Sequence, residues 1–234
     1  MYIIMALLGF VVSIWLHECG HFIAGRLTGV HPWRISFGNE ESFRLFSVAF
    51  EEDATPSIWV SVLNSEHETE IKIRFSLLQG FFRKIARMTN EALCTFYINP
   101  FGGFVGVRVM RLENETDESA LIRHVSDRRL FWTVFGGPLT NGCLWIGCLL
   151  ASSLSTGNFQ NLLLVFGMMN FVLMIVNVTP GDIHDDGYRL LLQCVGSEST
   201  QRICSKFGWL FSLFETMIII IFFLRIYTII SDIS

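Results

Sequence analysis

The segment from Tyr2 to Leu27 constrains this chain more than any other feature. Its first fifteen residues, through Leu16, carry no charged side chain, and His17-Glu18-Cys19-Gly20-His21 follows without a break in apolar character. Such a run is long enough to cross a hydrocarbon layer of about 30 Å, which takes roughly 20 helical residues. Residues four apart share one face of a helix, so His17 and His21 can grip one metal ion while Glu18 points at a water on that ion. Ionisable groups at that depth are tolerated where they face a bundle interior or a water-filled cavity, so the motif points to a functional site. The run has neither a basic start nor a small-residue cleavage site, so it is expected to be retained and not removed as a signal peptide.

Three further stretches have the length and apolarity to span a bilayer: Leu130–Leu154, Asn161–Thr179 and Phe207–Ile230. With 51% hydrophobic residues, 22 Phe and only 16% charged residues, the composition excludes an ordinary soluble domain. Within the last stretch, Arg225 can snorkel to an interface while Glu215 is expected to face other helices. The net charge of −4 gives no footprint for nucleic acid. Six scattered cysteines without a C-x-x-C pair read as buried thiols, with no disulfide framework and no zinc ribbon.

Between the first and second spans the texture changes. Glu70–Leu77 alternates polar and apolar residues as a half-buried strand does, and Phe46–Phe50 and Ile58–Val62 read as further strands. Leu77–Met88 mixes apolar residues with Arg83, Lys84 and Arg87, the pattern of a helix lying on a membrane surface or packed on the sheet. The expected fold is therefore a mainly α-helical polytopic membrane protein of about four transmembrane helices, with a small β-rich cytosolic insertion between the first and second. Its parts are residues 1–29 with the first helix, 30–129 with the insertion, and 130–234 with three further helices. Thirteen of the seventeen Lys and Arg residues fall between Arg26 and Arg129, and three more between the third and fourth spans. The positive-inside rule puts both regions in the cytosol.

A catalytic zinc commonly takes three protein ligands and leaves one position for water, so His17 and His21 need a third donor. His17 lies about 22 Å along the first helix, near its cytosolic end. The third span ends on the same side with Asn177-Val178-Thr179-Pro180-Gly181-Asp182-Ile183-His184-Asp185-Asp186-Gly187. Asp182, His184, Asp185 and Asp186 are the available donors, and Pro180 and Gly181 loosen the helix so that one can turn toward the histidines.

These motifs together resemble the site-2 proteases, intramembrane zinc metalloproteases that hydrolyse peptide bonds within or beside transmembrane segments. His17-Glu18-Cys19-Gly20-His21 matches their HExxH helix, Asn177 and Pro180 match an Asn-x-x-Pro, and Asp186-Gly187 matches the Asp-Gly that follows. Gly137-Pro138-Leu139-Thr140-Asn141 resembles their Gly-Pro-x-x-Asn helix, and Asn99-Pro100-Phe101-Gly102-Gly103-Phe104-Val105 their Pro-x-Gly-Gly segment. The chain departs from the pattern in having Asp185 where Leu is usual before Asp-Gly, and in one extra residue between Asn177 and the aspartate. The likeness covers the membrane core and leaves Trp33 to Ile85 unexplained.

The resemblance implies zinc held by His17, His21 and Asp186, with Asp185 or His184 as competing third ligands. It implies Glu18 as the general base, Asn177 as an aid to the oxyanion, and Gly102, Gly103 and Asn141 as substrate contacts, the glycines on a β-rich edge where an unwound substrate adds as a strand. The partners it implies are the lipid bilayer and a single-span membrane protein or signal-peptide-like substrate. A bacterial cell membrane is the expected setting, with the active site toward the cytosol. The competing reading is a non-hydrolytic membrane protein, a pseudoprotease or metal-binding transporter component. The intact Glu18 between the histidines speaks against it, since metal binding alone does not need that carboxylate.

Overall fold

The computed structural model describes residues 2–30, 32–38, 44–50, 56–64, 67–74, 93–97, 103–107, 128–180 and 185–231. Among these, the helices are α1 (Tyr2–Thr28), α2 (Arg128–Ser153), α3 (Gly157–Val178), α4 (Asp186–Val195) and α5 (Ser197–Ser231), and all but the short α4 are long and apolar enough to cross a membrane. Six strands lie between α1 and α2: β1 (Pro32–Phe37), β2 (Arg44–Phe50), β3 (Pro56–Asn64), β4 (His67–Arg74), β5 (Leu93–Tyr97) and β6 (Gly103–Val107). They form one sheet in the order β4-β3-β2-β5-β1-β6, in which only β1 and β5 pair in parallel.

The helical spans agree with hydropathy in number and differ at their ends. α5 starts at Ser197, ten residues before the expected Phe207, because the polar Ser197–Lys206 stretch continues the helix outside the apolar run. The alternation read over Glu70–Leu77 belongs to β4, which begins at His67; residues 75–77 and the whole of the helix expected over Leu77–Met88 lie outside the described residues. β1 was not expected, although Trp33-Arg34-Ile35-Ser36-Phe37 alternates apolar and polar residues, and Ile35, Ser36 and Phe37 are all buried in it; Leu93-Cys94-Thr95-Phe96-Tyr97 of β5 has no alternation to read, and Thr95 is buried between two partly covered neighbours. A strand covered on both faces loses the period of two that marks a half-exposed one.

Two faces of α1 organise the molecule. Trp15, Cys19 and Phe22 recur at helical spacing and pack on the sheet, against Ile35, Phe37, Cys94, Phe96 and Val105. Trp15 sets its ring 5.4 Å from Phe37 and 5.8 Å from Phe96, measured between centroids. On another face α1 meets α2 backbone to backbone. A Cβ added to Gly136 would lie 2.5 Å from both Ala24 Cβ and the Gly20 carbonyl oxygen, and one added to Gly20 would collide with the Gly136 carbonyl and Thr140 Oγ1. Small residues permit this approach, as at helix crossings in membranes. α3 is tied to α1 by buried Asn170, whose Nδ2 donates to Ser13 Oγ at 3.0 Å, while Ser13 donates to Gly9 O at 2.8 Å.

The cysteines correct one expectation: all six are free thiols, but only Cys148 is fully buried, and Cys143 and Cys194 are exposed. The outer helix faces are themselves apolar, with Ile146 and Leu150 more than half exposed, so an apolar residue here is no sign of a core position. Glu215 is half-buried on α5 and Arg225 is exposed. Burial pushes the Cys94 thiol on β5 up to about 12. Maleimide at pH 8 should therefore label Cys94 roughly three orders of magnitude more slowly than an ordinary thiol, as followed by mass spectrometry. The α1–α2 crossing gives a second prediction. Gly136→Leu forces the backbones apart and should destabilise the protein by at least about 1–3 kcal/mol, read as loss of the monodisperse species on size exclusion in detergent or as a lower unfolding temperature. Gly142→Leu, six residues further along α2, is the control, because among the described residues a Cβ there meets only the flexible Met174 Sδ at 3.0 Å.

Candidate metal centre

His17 and His21 project from α1 toward Thr133 and Asn141 of α2 and Asp186 of α4, and both are at least nine-tenths buried. α3 ends at Val178, where the Thr179 N–H still reaches Ile175 O at 3.0 Å, and Pro180 cannot extend the helix. The chain re-enters helix at Asp186. Gly187, the next residue, lies against the end of α3: a Cβ there would collide with the Val178 carbonyl and sit 2.5 Å from the Thr179 carbonyl. The glycine thus lets the first turn of α4 press onto the end of α3, and that contact aims Asp186 at the histidines.

Three donor atoms converge as a result. Asp186 Oδ2 lies 3.0 Å from His17 Nε2 and 3.0 Å from His21 Nε2, and the two Nε2 atoms are 3.0 Å apart. Ligands about 2.0–2.1 Å from a tetrahedral zinc are separated by about 3.3 Å, so the triangle is close to the size such an ion requires. Gly137 supplies a second test of fit. A Cβ on it would collide with His21 Nε2 and lie 2.6 Å from His17 Nε2, so its missing side chain leaves open the space beside both donor nitrogens. His17, His21 and Asp186 could therefore hold a metal ion. Burial alone would raise the Asp186 carboxyl, but the hydrogen bonds from His17 and His21 and their charge hold it well below the usual carboxylate range.

Each imidazole is also held from behind. His21 Nδ1 lies 2.9 Å from the Thr133 carbonyl oxygen and 3.3 Å from the Gly137 N. These two contacts exclude each other, and a ring that ligates through Nε2 carries its proton on Nδ1 and donates to Thr133. His17 Nδ1 lies 3.1 Å from the side-chain amide of Asn141. Glu18, buried on the same helix, faces β6, where a Cβ on Gly103 would collide with the Glu18 side chain and sit 2.6 Å from its carboxyl carbon.

These groups line one cavity of about 360 Å³ that also touches Ile14, Leu173, Asn177, Asp185 and Arg189. Among the residues expected from the sequence, His17, His21 and Asp186 meet, and Glu18, Gly103, Asn141 and Asn177 border the same space. The Asn177 amide donates to Leu173 O in its own helix at 2.8 Å. Asp185 borders the cavity without joining the donor triangle, and Gly102, Asp182 and His184 lie outside the described residues. Thr133 and Arg189 were not anticipated, Thr133 because it acts through a backbone carbonyl that every residue has; Gly137 was quoted in the Gly-Pro-x-x-Asn segment, but not as a residue of the metal centre. Compared with known proteins, the chain matches no family model, no curated protein and no solved structure.

Gly137→Ala places a methyl group between the two donor nitrogens. Its affinity for divalent metal, titrated against a competing chelator, should fall by about 10-fold or more, with helix content unchanged by circular dichroism.

Proposed function

We propose that this chain is an intramembrane zinc endopeptidase of the site-2 protease type, with α1, α2, α3 and α5 crossing the bilayer and the sheet and α4 on the cytosolic side. The observation that supports this reading most is the meeting of His17, His21 and Asp186 in one cavity with Glu18 beside them, although 165 residues separate His21 from Asp186. The metal is read as zinc from the resemblance of the motifs to zinc metalloproteases, with which a donor set of two imidazoles and one carboxylate is compatible.

Zinc held by His17, His21 and Asp186 would supply Lewis acidity and lower the pKa of water toward about 7. The chain's own residues do the rest. Glu18 takes the proton from the attacking water and, as the carbon–nitrogen bond breaks, delivers it to the departing amine. Packing of Gly103 against Glu18 restricts that carboxylate to the cavity and removes the freedom that would weaken it as a base. Asn177, on the cavity wall, is placed to donate to the developing oxyanion if its amide turns from Leu173 O. Asn141 and Thr133 keep the two imidazoles oriented. The substrate is a spanning segment that enters sideways from the bilayer and unwinds locally before it is cut, so residues that weaken a helix near the scissile bond favour cleavage.

Glu18→Gln tests the assignment. Coexpressed with a panel of tagged single-span proteins and signal peptides, the variant should cleave at least about 100-fold more slowly than the wild type, with bound zinc unchanged by elemental analysis. Cleavage that survives the substitution removes Glu18 from the chemistry. A zinc-loaded wild type that cuts nothing favours a non-hydrolytic metal-binding or helix-binding protein.

A further inference from the structure

We propose that Asn141 is a positioning residue of the metal centre and works through its carbonyl oxygen. Oδ1 accepts the Nδ1–H of His17 and so keeps the Nε2 lone pair of that ring free for metal. The inference rests on the metal-site reading above and goes beyond it, since the sequence motif pointed only to a substrate contact.

The argument begins with the direction of the His17 ring. Its Nε2 faces Asp186 Oδ2 and His21 Nε2, each at 3.0 Å, so Nε2 is the ligating atom. A neutral imidazole has one N–H, and a nitrogen that binds metal cannot carry it. The proton is therefore on Nδ1 and needs an acceptor. The side-chain amide of Asn141 lies 3.1 Å away, and Asn141 is fully buried, which leaves no room for solvent to serve instead.

An amide has a donor end and an acceptor end, and a half-turn about its last bond exchanges them. With Nδ2 toward the ring, His17 is forced to accept at Nδ1 and carries its proton on the metal-facing side, while Asn141 Oδ1 is buried with no partner. With Oδ1 toward the ring, the proton returns to Nδ1 and Nε2 is free. The His17 contact decides between them, because only the second orientation gives the ring N–H an acceptor and leaves Nε2 free.

The neighbouring ligand follows the same logic. Thr133, which holds His21 at 2.9 Å, does so through a carbonyl oxygen that can only accept. Backbone carbonyls of α2 point toward its C-terminus and side chains lean toward its N-terminus. Thr133 O and the Asn141 amide thus approach the level of Gly137 from opposite directions, and one helix supplies an acceptor to each imidazole.

Asn141→Asp and Asn141→Leu separate this role from its rivals, because aspartate offers acceptors alone and leucine offers neither function. The probe is zinc, titrated into the purified full-length chain in detergent against a chromophoric chelator, with circular dichroism and elution volume as checks on folding. Leucine should weaken zinc binding by about 10–100-fold, the usual effect of losing a group that orients a metal-bound histidine, while aspartate stays within a few-fold of the wild type. In addition, ¹⁵N spectra of histidine-labelled, zinc-loaded wild type should show His17 protonated at Nδ1. Aspartate as damaging as leucine, leucine without effect, or a proton on Nε2 overturns the proposal; the last measurement stands even if the leucine variant does not fold. Wild type that takes up no zinc overturns the metal centre itself, an outcome distinct from a zinc-binding wild type whose variants behave alike.

Discussion

Two histidines and an aspartate packed among apolar helices impose the condition that the rest of the molecule meets. Without water, an unpaired polar or charged group costs several kcal/mol, so each side nitrogen and the carboxylate oxygen must find a partner inside the bundle. They do so in two tiers. The Nε2 atoms and Asp186 Oδ2 face one another at 3.0 Å, and the Nδ1 atoms turn away to Asn141 and the Thr133 carbonyl. This arrangement works only if α2 comes close enough for its backbone to touch the imidazoles. Glycines at 20, 136 and 137 make that distance possible, since a Cβ at any of them would strike the facing helix or a ligand.

The sheet serves the same centre from the other side. Trp15, Cys19 and Phe22 anchor it to α1 through Phe37 and Phe96, which fixes β1 and, through the antiparallel register Phe37 to Gly103, brings the first residue of β6 against Glu18. Glu18 lies between the two faces of α1, one turned to the sheet and one to α2. The histidine side and the Glu18 side of the cavity are therefore built by different partners of a single helix. A disturbance of the sheet reaches Glu18 before it reaches the histidines, and a disturbance of α2 does the reverse.

The helix termini show where a reading of pattern loses information. Hydropathy measures the part of a helix that suits a bilayer and is blind to where the helix ends, so α5 was expected ten residues too short. α4 follows a Pro-Gly break and begins beside two adjacent aspartates, and although its apolar residues share one face, that face does not say how closely its first turn meets the histidines. β5 was invisible because burial on both faces removes alternation, whereas the alternation of Trp33–Phe37 in β1 was legible and went unread. β2, β3 and β4, nearer the far edge of the sheet, kept the alternation or the short apolar run that made them legible.

By itself, the sequence determined the number of long apolar helices, the single face shared by His17 and His21, the place of Glu18 between them, and the presence of a β-rich insertion after the first helix. These follow from local periodicity and from length, which depend on neighbours along the chain. The motif resemblance favoured Asp186 and left Asp185 as a rival; the tertiary structure brings Asp186 and not Asp185 into the triangle, with Gly187 packed against the end of α3. It also decided that Asn141 lies on His17, that Thr133 lends a backbone carbonyl to His21, and that Gly137 leaves open the space beside the donors. Each of those depends on how closely two helices approach, a distance set by side chains far apart in the sequence.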